Sequence, residues 1–316
     1  MNGEVNIELN KIHNVDVIDG LKQLPDSSID LIITDPPYYK AIDEEWDKQW
    51  KTEEDYLVWC EEWFGECVRV LKNTGVFYCY GNFDILTKQK VNIFDKQLNF
   101  RQNITLSKGL RAIAGRTSDK LRMFPTASEY LLYYVKQEDE LVLLHQRDYL
   151  YSEWKRSGLK ISDIKKLCGF TGNQPYNWFS PNNSGKGTWQ LPKEEHYLVL
   201  QTTGYWQKSY QELKNEFNKS RYIFNLPTGM TDVWDFIPDK VRYGHKTQKP
   251  MDITDRIINA SSNKNQLILV PFVGSGSECV SAKMNNRNYI GFELNPEYIE
   301  IANRRLREVD LVHHIS

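Results

Sequence analysis

The sequence lacks several features that would place a protein of this size in a class at once. Its five cysteines, at positions 60, 67, 79, 168 and 279, include no Cys-x-x-Cys pair, and the six histidines show no ligand spacing with them. This pattern is typical of reduced thiols and argues against a structural metal site. No apolar segment approaches the roughly 18 residues that span a bilayer, and no signal peptide is recognisable. We therefore expect a cytoplasmic protein with neither a metal nor a membrane contact.

The chain also lacks a strong excess of either charge. It has 40 basic and 42 acidic residues among 316, a net charge of -2 at pH 7, so any affinity for nucleic acid has to be local. A Gly-Lys-Ser/Thr sequence is absent, which disfavours a triphosphate site of the P-loop kind. Hydrophobic residues make up 40% of the sequence, enough for one large domain or two modest ones with a substantial core.

Strand-like and helix-like patterns alternate in the first and last parts of the chain. The hydrophobic periodicity predicts strands at Asn10–Val17, Ile29–Thr34, Val76–Tyr80, Glu129–Val135, Gln266–Val270 and Tyr289–Glu293. It predicts helices at Glu53–Leu71, Met251–Ala260, Glu278–Asn285 and Pro296–Leu306, with Asn73-Thr74-Gly75 closing the first of them. This alternation predicts an α/β fold with a mostly parallel sheet covered on both faces.

The middle of the chain has a different character. Residues 141–222 contain 12 Lys or Arg against 7 Asp or Glu, together with four of the nine tryptophans. We predict an inserted lobe at 141–222, with 1–140 and 223–316 forming the other domain. Within the lobe, residues 157–169 have helical spacing and a terminal glycine, and Asn173 could cap a second helix. A helix-turn-helix and two small packed helices without a DNA contact both fit this pattern.

Two short stretches follow predicted strands and carry chemistry. In the sequence PFVGSGS, residues 271–277, Gly274 and Gly276 allow a tight turn whose backbone can approach a ligand. Glu293 ends the next strand at the spacing where a carboxylate takes ribose hydroxyls. Either feature alone fits a plain strand-to-helix connection, but together they favour an adenosine-containing cofactor. The sequence DPPY, residues 35–38, ends another strand and is either a rigid turn with a capping aspartate or a catalytic site.

Four motifs together resemble the amino-group DNA methyltransferases of the β arrangement, in which the catalytic motif precedes the cofactor motif. These motifs are DPPY at 35–38, GHKTQKP at 244–250, PFVGSGS at 271–277 and GFELNPEYIEIANRRL at 291–306. The resemblance covers roughly residues 8–135 and 232–308. It implies a Rossmann-like fold that uses S-adenosylmethionine, with an inserted, mostly helical target-recognition lobe. It also implies methyl transfer to the N6 amino group of a flipped adenine in double-stranded DNA.

The resemblance also implies roles for individual residues. Asp35 and the Pro36 carbonyl accept hydrogen bonds from the target amino group, and Tyr38 stacks on the extruded base. The implied catalytic residues are Asp35, Pro36, Pro37 and Tyr38. The implied cofactor-binding residues are Asp16, Asp35, Thr247, Gln248, Lys249, Phe272, Gly274, Ser275, Gly276, Ser277 and Glu293. Among them, Asp16 is expected to read the cofactor adenine, Glu293 to bind the ribose, and residues 247–249 to border the methionine end.

The predicted DNA contacts are basic and amide side chains in two regions. The segment from Ser107 to Phe124 is basic and would hold phosphates, whereas a solvated flexible loop is the alternative. Asn and Gln in the lobe suit adenine edges. The candidates are Lys108, Arg111, Arg116, Arg122, Lys155, Arg156, Lys160, Lys165, Lys166, Asn173, Gln174 and Asn177. The resemblance leaves open a homodimer and a cognate restriction endonuclease as a partner.

Departures from the family pattern keep alternatives open. The family has an aspartate before Pro271, where this chain has Val270, so an acceptor is lost and weaker cofactor binding is expected. Val15 and Lys246 also differ from the family's glycine and proline at those motif positions. Aspartate at position 35 favours adenine, because cytosine-modifying relatives more often carry serine there. The alternatives are a cytosine-N4 methyltransferase, a catalytically weakened sequence-specific DNA-binding protein, and a methyltransferase acting on protein or RNA.

Overall fold

The structure divides into two compact units. A computed structural model describes residues 7–39, 49–109, 122–136, 139–171, 174–179, 190–219, 221–225, 229–235, 243 and 248–313. Unit 1 consists of Met1–Lys136 and Tyr222–Ser316, and unit 2 of Gln137–Arg221. The described helices include none that is both long and apolar enough to cross a bilayer.

Unit 1 is built around one sheet of eight strands. The strands are β1 (Lys11–Asn14), β2 (Ile29–Thr34), β3 (Leu71–Gly81), β4 (Asn99–Ser107), β5 (Ser128–Val135), β6 (Val233–Asp235), β7 (Leu267–Val270) and β8 (Asn288–Glu293). Their order in the sheet is β1-β8-β7-β2-β3-β5-β4-β6. In the described residues β5 runs antiparallel to its neighbours β3 and β4, whereas the other strand pairs are parallel. The predicted α/β fold is therefore confirmed.

The helices of unit 1 cover both faces of this sheet. They are α1 (Val17–Lys22), α2 (Glu53–Val70), α3 (Phe83–Asn92), α9 (Met251–Ser261), α10 (Ser277–Met284) and α11 (Pro296–His313), with a 3-10 turn at Phe94–Lys96. Central strand β2 shows why two layers are needed, because its side chains alternate between two apolar clusters. Ile32 packs in the cluster that contains α1 and α2, and Leu31 and Ile33 pack in the cluster that contains α9 to α11. All three are fully buried, as expected of a parallel strand covered on both sides.

One edge of the sheet gathers the segments that carry the sequence motifs. Because β1, β8, β7 and β2 are parallel, the residues after their carboxyl ends lie at the same edge. The antiparallel strand β5 instead brings its first residues to this edge, where Ser107 of β4 pairs with Ser128 of β5. Both ends of the connection between β4 and β5 therefore start from the edge that holds Asp35 and Glu293.

Helix α2 begins as its sequence predicts and ends in a different way. Thr52 and Asp55 form a capping box at its amino end. The predicted stop at Asn73-Thr74-Gly75 is wrong, because the helix ends at Val70 and these three residues belong to β3. The Lys136 ammonium donates hydrogen bonds to the carbonyls of Val68 and Leu71, at 2.6 and 2.8 Å. Lys136, the residue after β5, thus satisfies carbonyl groups at the end of α2 that would be hydrogen-bonded by a glycine cap in other helices.

Other predicted boundaries shift by a few residues. The first strand ends at Asn14, not Val17, because Asp16 caps α1, which begins at Val17. The last helix extends to His313, beyond the predicted end at Leu306. Helix α3 and strands β4 and β6 are additions that the sequence patterns did not predict.

The regular elements in the described part of unit 2 are helices, and the unit has its own core. Its helices are α4 (Asp139–Ser157), α5 (Ile161–Cys168), α6 (Gln174–Phe179), α7 (Glu194–Gln201) and α8 (Tyr210–Lys219). Its core is made by Leu150, Ile164, Trp178, Phe179, Tyr197, Leu200, Trp206 and Leu213. The predicted glycine stop occurs at Gly169, which has a φ of 71° after α5. The inserted lobe predicted at 141–222 corresponds to this unit in sequence, and its role in DNA recognition stays a prediction.

We expect Gly291→Ala to destabilise unit 1. A Cβ at Gly291 in β8 would lie 2.5 Å from Val273 Cγ2 and 3.2 Å from the Cys279 sulfur, so neighbouring core groups would have to move. Overpacking of this kind costs about 1–3 kcal/mol. The matched control is Gly65→Ala, in the interior of α2, where a Cβ has no atom within 4 Å. That variant should gain about 0.5–1 kcal/mol, because alanine favours the helix. Urea unfolding measures both changes, and a Gly291→Ala protein as stable as the parent would contradict the packing.

Candidate active site

A cavity of about 290 Å³ lies at the sheet edge described above, within unit 1. This volume is close to the lower end of the range for small-molecule sites, roughly 300 to 1,000 Å³. Residues that the sequence motifs singled out form much of its wall: Asp16, Asp35, Pro36, Pro37, Tyr38, Lys249, Phe272, Gly274, Ser275 and Glu293. The rest of the wall includes residues to which the sequence analysis gave no role: Trp59, Val273, Glu278, Phe292, Leu294, Asn295 and Tyr298. The motifs therefore meet in one place although they are far apart in sequence.

Asp35 lies directly after β2 and is held by two donors. The Tyr38 hydroxyl donates a hydrogen bond to Asp35 Oδ1 at 2.6 Å. The Lys249 ammonium contacts Asp35 Oδ2 at 3.0 Å. Burial, followed by the charge of Asp35, raises the pKa of Tyr38 well above its ordinary value, so its hydroxyl remains a donor. Each carboxylate oxygen keeps a second lone pair for a ligand donor.

Lys249 lies at the centre of a chain of charges. Besides Asp35, its ammonium contacts Glu129 Oε2 of β5 at 3.6 Å, and Glu129 also pairs with Lys108. Lys249 is 8% exposed. Burial alone would lower the pKa of Lys249, but the carboxylates of Asp35 and Glu129 outweigh burial and raise it. Lys249 is therefore charged at neutral pH. The motifs predicted it at the methionine end of a cofactor, and its contacts place it directly on the Asp35 carboxylate.

The backbone of the DPPY motif is fixed by its neighbours. The Tyr56 hydroxyl of α2 donates to the Pro37 carbonyl at 2.9 Å, and Gln89 of α3 donates to the same hydroxyl. Among the described residues none donates to the Pro36 carbonyl. Because proline restricts φ and lacks an N–H, the two carbonyls are held in place by rigid backbone. The Pro36 carbonyl remains an open acceptor beside Asp35.

Two carboxylates lie at the other strand ends that face the cavity. Glu293 accepts hydrogen bonds from the backbone N–H groups of Gly274, at 2.8 Å, and Asn295, at 2.9 Å. Burial raises the pKa of Glu293, although these backbone donors oppose the shift. Asp16 caps α1 by accepting from the Ile18 N–H at 2.9 Å. Both carboxylates are oriented by backbone, and both retain acceptor capacity for hydroxyl or amino groups.

The glycine turn between β7 and α10 is held from behind by Arg305 of α11. Gly274 and Gly276 have φ values of 51° and 81°, and a Cβ at Gly276 would lie 2.6 Å from the Cβ of Ala302. Arg305 is buried and donates to the Ser275 carbonyl at 2.6 Å and to the Ser277 hydroxyl at 3.1 Å. Ser277 in turn donates to the Lys249 carbonyl at 2.8 Å. Gly276 and Ser277 therefore shape the turn without being part of the cavity wall.

Aromatic side chains form the apolar part of the wall. Phe272 packs against Trp59 and Trp63 of α2, with ring centroids 5.7 and 5.6 Å apart. Val17 of α1, Phe292 of β8 and Leu294 extend this apolar surface. Apolar walls beside a few oriented polar groups are typical of small-molecule and cofactor sites.

A carboxylate lines the cavity wall near the glycine turn, although this chain lacks the aspartate that the family has before Pro271. Val270 is buried within the apolar cluster of α9 to α11 and is not part of the cavity wall. Glu278, the second residue of α10, is part of the wall and is 5% exposed. Burial, followed by the charge of Asp35, raises the pKa of Glu278 to about 7. Sequence reasoning gave no role to Glu278, although it directly follows the glycine motif, or to Arg305, although it lies within the motif at 291–306.

The described DNA-binding candidates are divided between the two units. Lys108 pairs with Glu129, so a phosphate would have to compete with that carboxylate. In unit 2, Arg156 pairs with Glu153, and Lys155 lies over the Tyr151 and Trp154 rings. Arg122, Lys160 and Lys166 are exposed, and Lys165 and Asn177 are half-buried.

Several predicted residues lie outside the described part of the chain. These are Arg111, Arg116, Asn173 and Thr247, together with the side chain of Gln174. Gln248 is described, and its side-chain carbonyl accepts from the Tyr243 N–H at 3.2 Å. Within the described ranges, no group of three or more His, Cys, Asp or Glu side chains is arranged to hold a metal ion.

Comparisons with known proteins agree with this geometry. The chain is 27% identical to the type II methyltransferase M.HinfI of Haemophilus influenzae over 98% of its own length and 71% of that protein. It is 28% identical to the type II methyltransferase M1.MboII of Moraxella bovis, over 96% and 99% of the two chains.

Solved structures share the fold at lower identity. The complex of M1.HpyAVI with S-adenosylmethionine superposes with a TM-score of 0.53 at 18% identity, covering 94% of this chain and 99% of that one. The cytosine-N4-specific PvuII DNA methyltransferase superposes with a TM-score of 0.53 at 12% identity, covering 96% and 90%. The fold alone therefore does not separate the two target bases.

A family match covers most of the chain. The sequence model of the N6/N4 methyltransferase family, described as DNA methylase, matches residues 29–304. That range includes the DPPY turn, the glycine turn and Glu293, and it extends over both units. The chain belongs to the N6/N4 family of DNA methylases, the amino-group DNA methyltransferases.

Proposed function

We propose that the protein transfers a methyl group from S-adenosylmethionine to the N6 amino group of an adenine flipped out of duplex DNA. One observation carries the proposal: Asp35 and the Pro36 carbonyl share a cavity with the glycine turn and Glu293. The type II methyltransferases among its relatives support a sequence-specific DNA substrate. A homodimer and a partner endonuclease stay predictions.

The residues of the cavity fit S-adenosylmethionine. When bound, this cofactor supplies a methyl group on a positively charged sulfur. The wall offers carboxylates, which match a ligand rich in hydroxyl, amino and ammonium donors, and aromatic surface that matches an adenine ring. Glu293 would accept from the ribose hydroxyls and Asp16 from the adenine amino group. The buried Glu278 carboxylate, whose Oε1 atom has no partner among the described residues, is a further sign that the cavity is built for a ligand with N–H or O–H groups.

Asp35 and Pro36 are suited to activate an aromatic amino group. The lone pair of adenine's exocyclic nitrogen is delocalised into the ring, which makes the nitrogen a poor nucleophile. Hydrogen bonds from its two protons to the Asp35 carboxylate and the Pro36 carbonyl would favour a pyramidal nitrogen with a usable lone pair. The carboxylate would also stabilise the positive charge that develops on the nitrogen as it gains the methyl group.

Lys249 and Tyr38 position the carboxylate before the base arrives. Their donors hold both Asp35 oxygens, at 3.0 and 2.6 Å, so no large rearrangement of the side chain is required on binding. The Tyr38 ring also offers a face on which a flipped base can stack. Because Lys249 is shared between Asp35 and Glu129, its charge compensates two carboxylates in a buried site.

The rival proposal of a catalytically weakened DNA-binding protein loses its main support in the structure. That idea rested on Val270, where the family has an aspartate. Val270 packs in the apolar core and leaves no gap in the polar wall of the cavity. The Asp35, Glu293 and Glu278 carboxylates all line that wall. An active enzyme is the proposal that uses all of them.

We expect Asp35→Ala to reduce methyl transfer by at least about 10²-fold, since a positioned group that stabilises developing charge is worth about this much. Incorporation of labelled methyl groups into genomic DNA measures the rate, and calorimetry checks that S-adenosylmethionine still binds. The matched control is Asp84→Ala, because the Asp84 side chain is 76% exposed on α3 and pairs with the surface residue Lys88. Wild-type rates in the Asp35→Ala protein would contradict the proposed role.

We expect the modified nucleoside to be N6-methyldeoxyadenosine. Aspartate at position 35 favours adenine over cytosine, although the fold and the family are compatible with both bases. Unmethylated genomic DNA treated with the purified protein, digested to nucleosides and analysed by mass spectrometry, identifies the product. Detection of N4-methyldeoxycytidine alone would replace adenine by cytosine and leave amino-group methylation intact.

A further inference from the structure

Glu278 is a buried acid that the proposed chemistry leaves without a role. It lies at the start of α10, its side chain lines the cavity, and it is 5% exposed. Its Oε1 atom is fully buried and has no hydrogen-bond partner among the described residues. Buried carboxylate oxygens are normally satisfied, because an unmet acceptor forfeits its hydration without a replacement. Because the Glu278 side chain also lines the cavity, its carboxylate is placed to accept from a donor on a ligand.

The protein's own cations near Glu278 are committed elsewhere. Lys249 contacts Asp35 and Glu129. Arg305 donates to the carbonyl and hydroxyl of Ser275 and to the Ser277 hydroxyl. Asp35, the other carboxylate close enough to act on Glu278, repels its charge. The Glu278 carboxylate thus has its own backbone N–H as a donor, and its Oε1 atom has no partner among the described residues.

We propose that Glu278 accepts hydrogen bonds from the α-ammonium group of the methionine half of the cofactor. This inference rests on the proposed function. Of the cofactor groups that carry N–H or O–H bonds, the adenine amino group and the ribose hydroxyls are assigned to Asp16 and Glu293. The α-ammonium is the donor that remains, and it is also positively charged, whereas the sulfonium has no hydrogen to donate.

The position of Glu278 agrees with this assignment. The methionine half begins at the sulfur that carries the transferred methyl group, so it has to lie close to Asp35. Glu278 is near enough to Asp35 and Lys249 for their charges to shift its pKa. Glu278 lies on α10 directly after the glycine turn, so this segment has a carboxylate even though Val270, on the other side of the turn, has none.

The test compares three ligands that differ in their methionine half. S-Adenosylmethionine and S-adenosylhomocysteine carry the α-ammonium, and 5′-methylthioadenosine lacks the whole amino-acid portion. In calorimetric titrations at pH 7.5, Glu278→Gln should bind the first two about tenfold more weakly than the parent protein, as expected for a lost hydrogen bond to a charged group. Its affinity for 5′-methylthioadenosine should stay within about twofold of the parent value.

The outcomes separate the roles that Glu278 could have. An equal loss of affinity for all three ligands would show that Glu278 only shapes the cavity. No loss of affinity for any of them would show that Glu278 makes no contact with the ligand. Either result overturns the inference. A parent protein that binds all three ligands and methylates no DNA would refute the proposed function alone. A parent protein that binds none of them would overturn both.

A pH series on the parent protein tests the same contact without a substitution. With a pKa of about 7, Glu278 is ionised above neutrality and increasingly protonated below it. The ionised carboxylate only accepts hydrogen bonds, whereas the protonated form also carries an O–H donor. Affinity for S-adenosylhomocysteine should therefore fall from pH 7.5 to pH 6, whereas affinity for 5′-methylthioadenosine should not. Protonation of the ligand amine, with a pKa of about 8, would act in the opposite direction.

The other ionisable groups that face Glu278 do not account for a difference in pH dependence between the two ligands. They are Asp35 after β2, Tyr80 of β3, Lys249 before α9 and Arg305 of α11. The pKa of Tyr80 is raised by burial and that of Lys249 is raised by its carboxylate partners, so neither titrates near neutrality. Equal pH dependence for the two ligands would overturn the inference.

Discussion

The ion pair between Asp35 and Lys249 is the contact around which the site is organised. It joins the residue after β2 to Lys249, which lies two residues before α9. Two opposite charges in a buried place are stable only when they meet with good geometry, because each alone would lose its hydration. The pair therefore requires that both segments of unit 1 fold onto the same sheet edge. The cavity exists because this requirement is met.

The glycine turn is also held by a buried charged residue, Arg305 of α11. Arg305 is buried against the turn and donates to its backbone and hydroxyls, so α11 fixes the position of α10. Ser277 then links the turn to the Lys249 carbonyl. The residues that face the ligand and those that hold Asp35 are thus connected through short hydrogen bonds. The rigidity of the site comes from this connection, since the cavity wall itself is made largely of loop residues.

The fold and the centre of the site could be predicted from the sequence because both depend on local patterns. The β-branched run of β2 and the amphipathic face of α2 define their elements without knowledge of the partners. The motif residues could be grouped because parallel strands bring their carboxyl ends together. Lys136 could not be predicted as the terminator of α2, because its contacts depend on a strand far away in sequence. Glu278 and Arg305 were missed for the same reason, since burial and partners decide their roles.

The antiparallel strand β5 has a consequence for how the protein can vary. The connection from β4 to β5 starts and finishes at the sheet edge that holds Asp35, and the pairing of Ser107 with Ser128 closes its base. Because that base is fixed by two ladders of backbone hydrogen bonds, residues can be added or removed between the strands at a small entropic cost. Such changes in length would leave the Asp35 and Lys249 pair in place. The length of this connection and the chemistry at the sheet edge can thus change independently of each other.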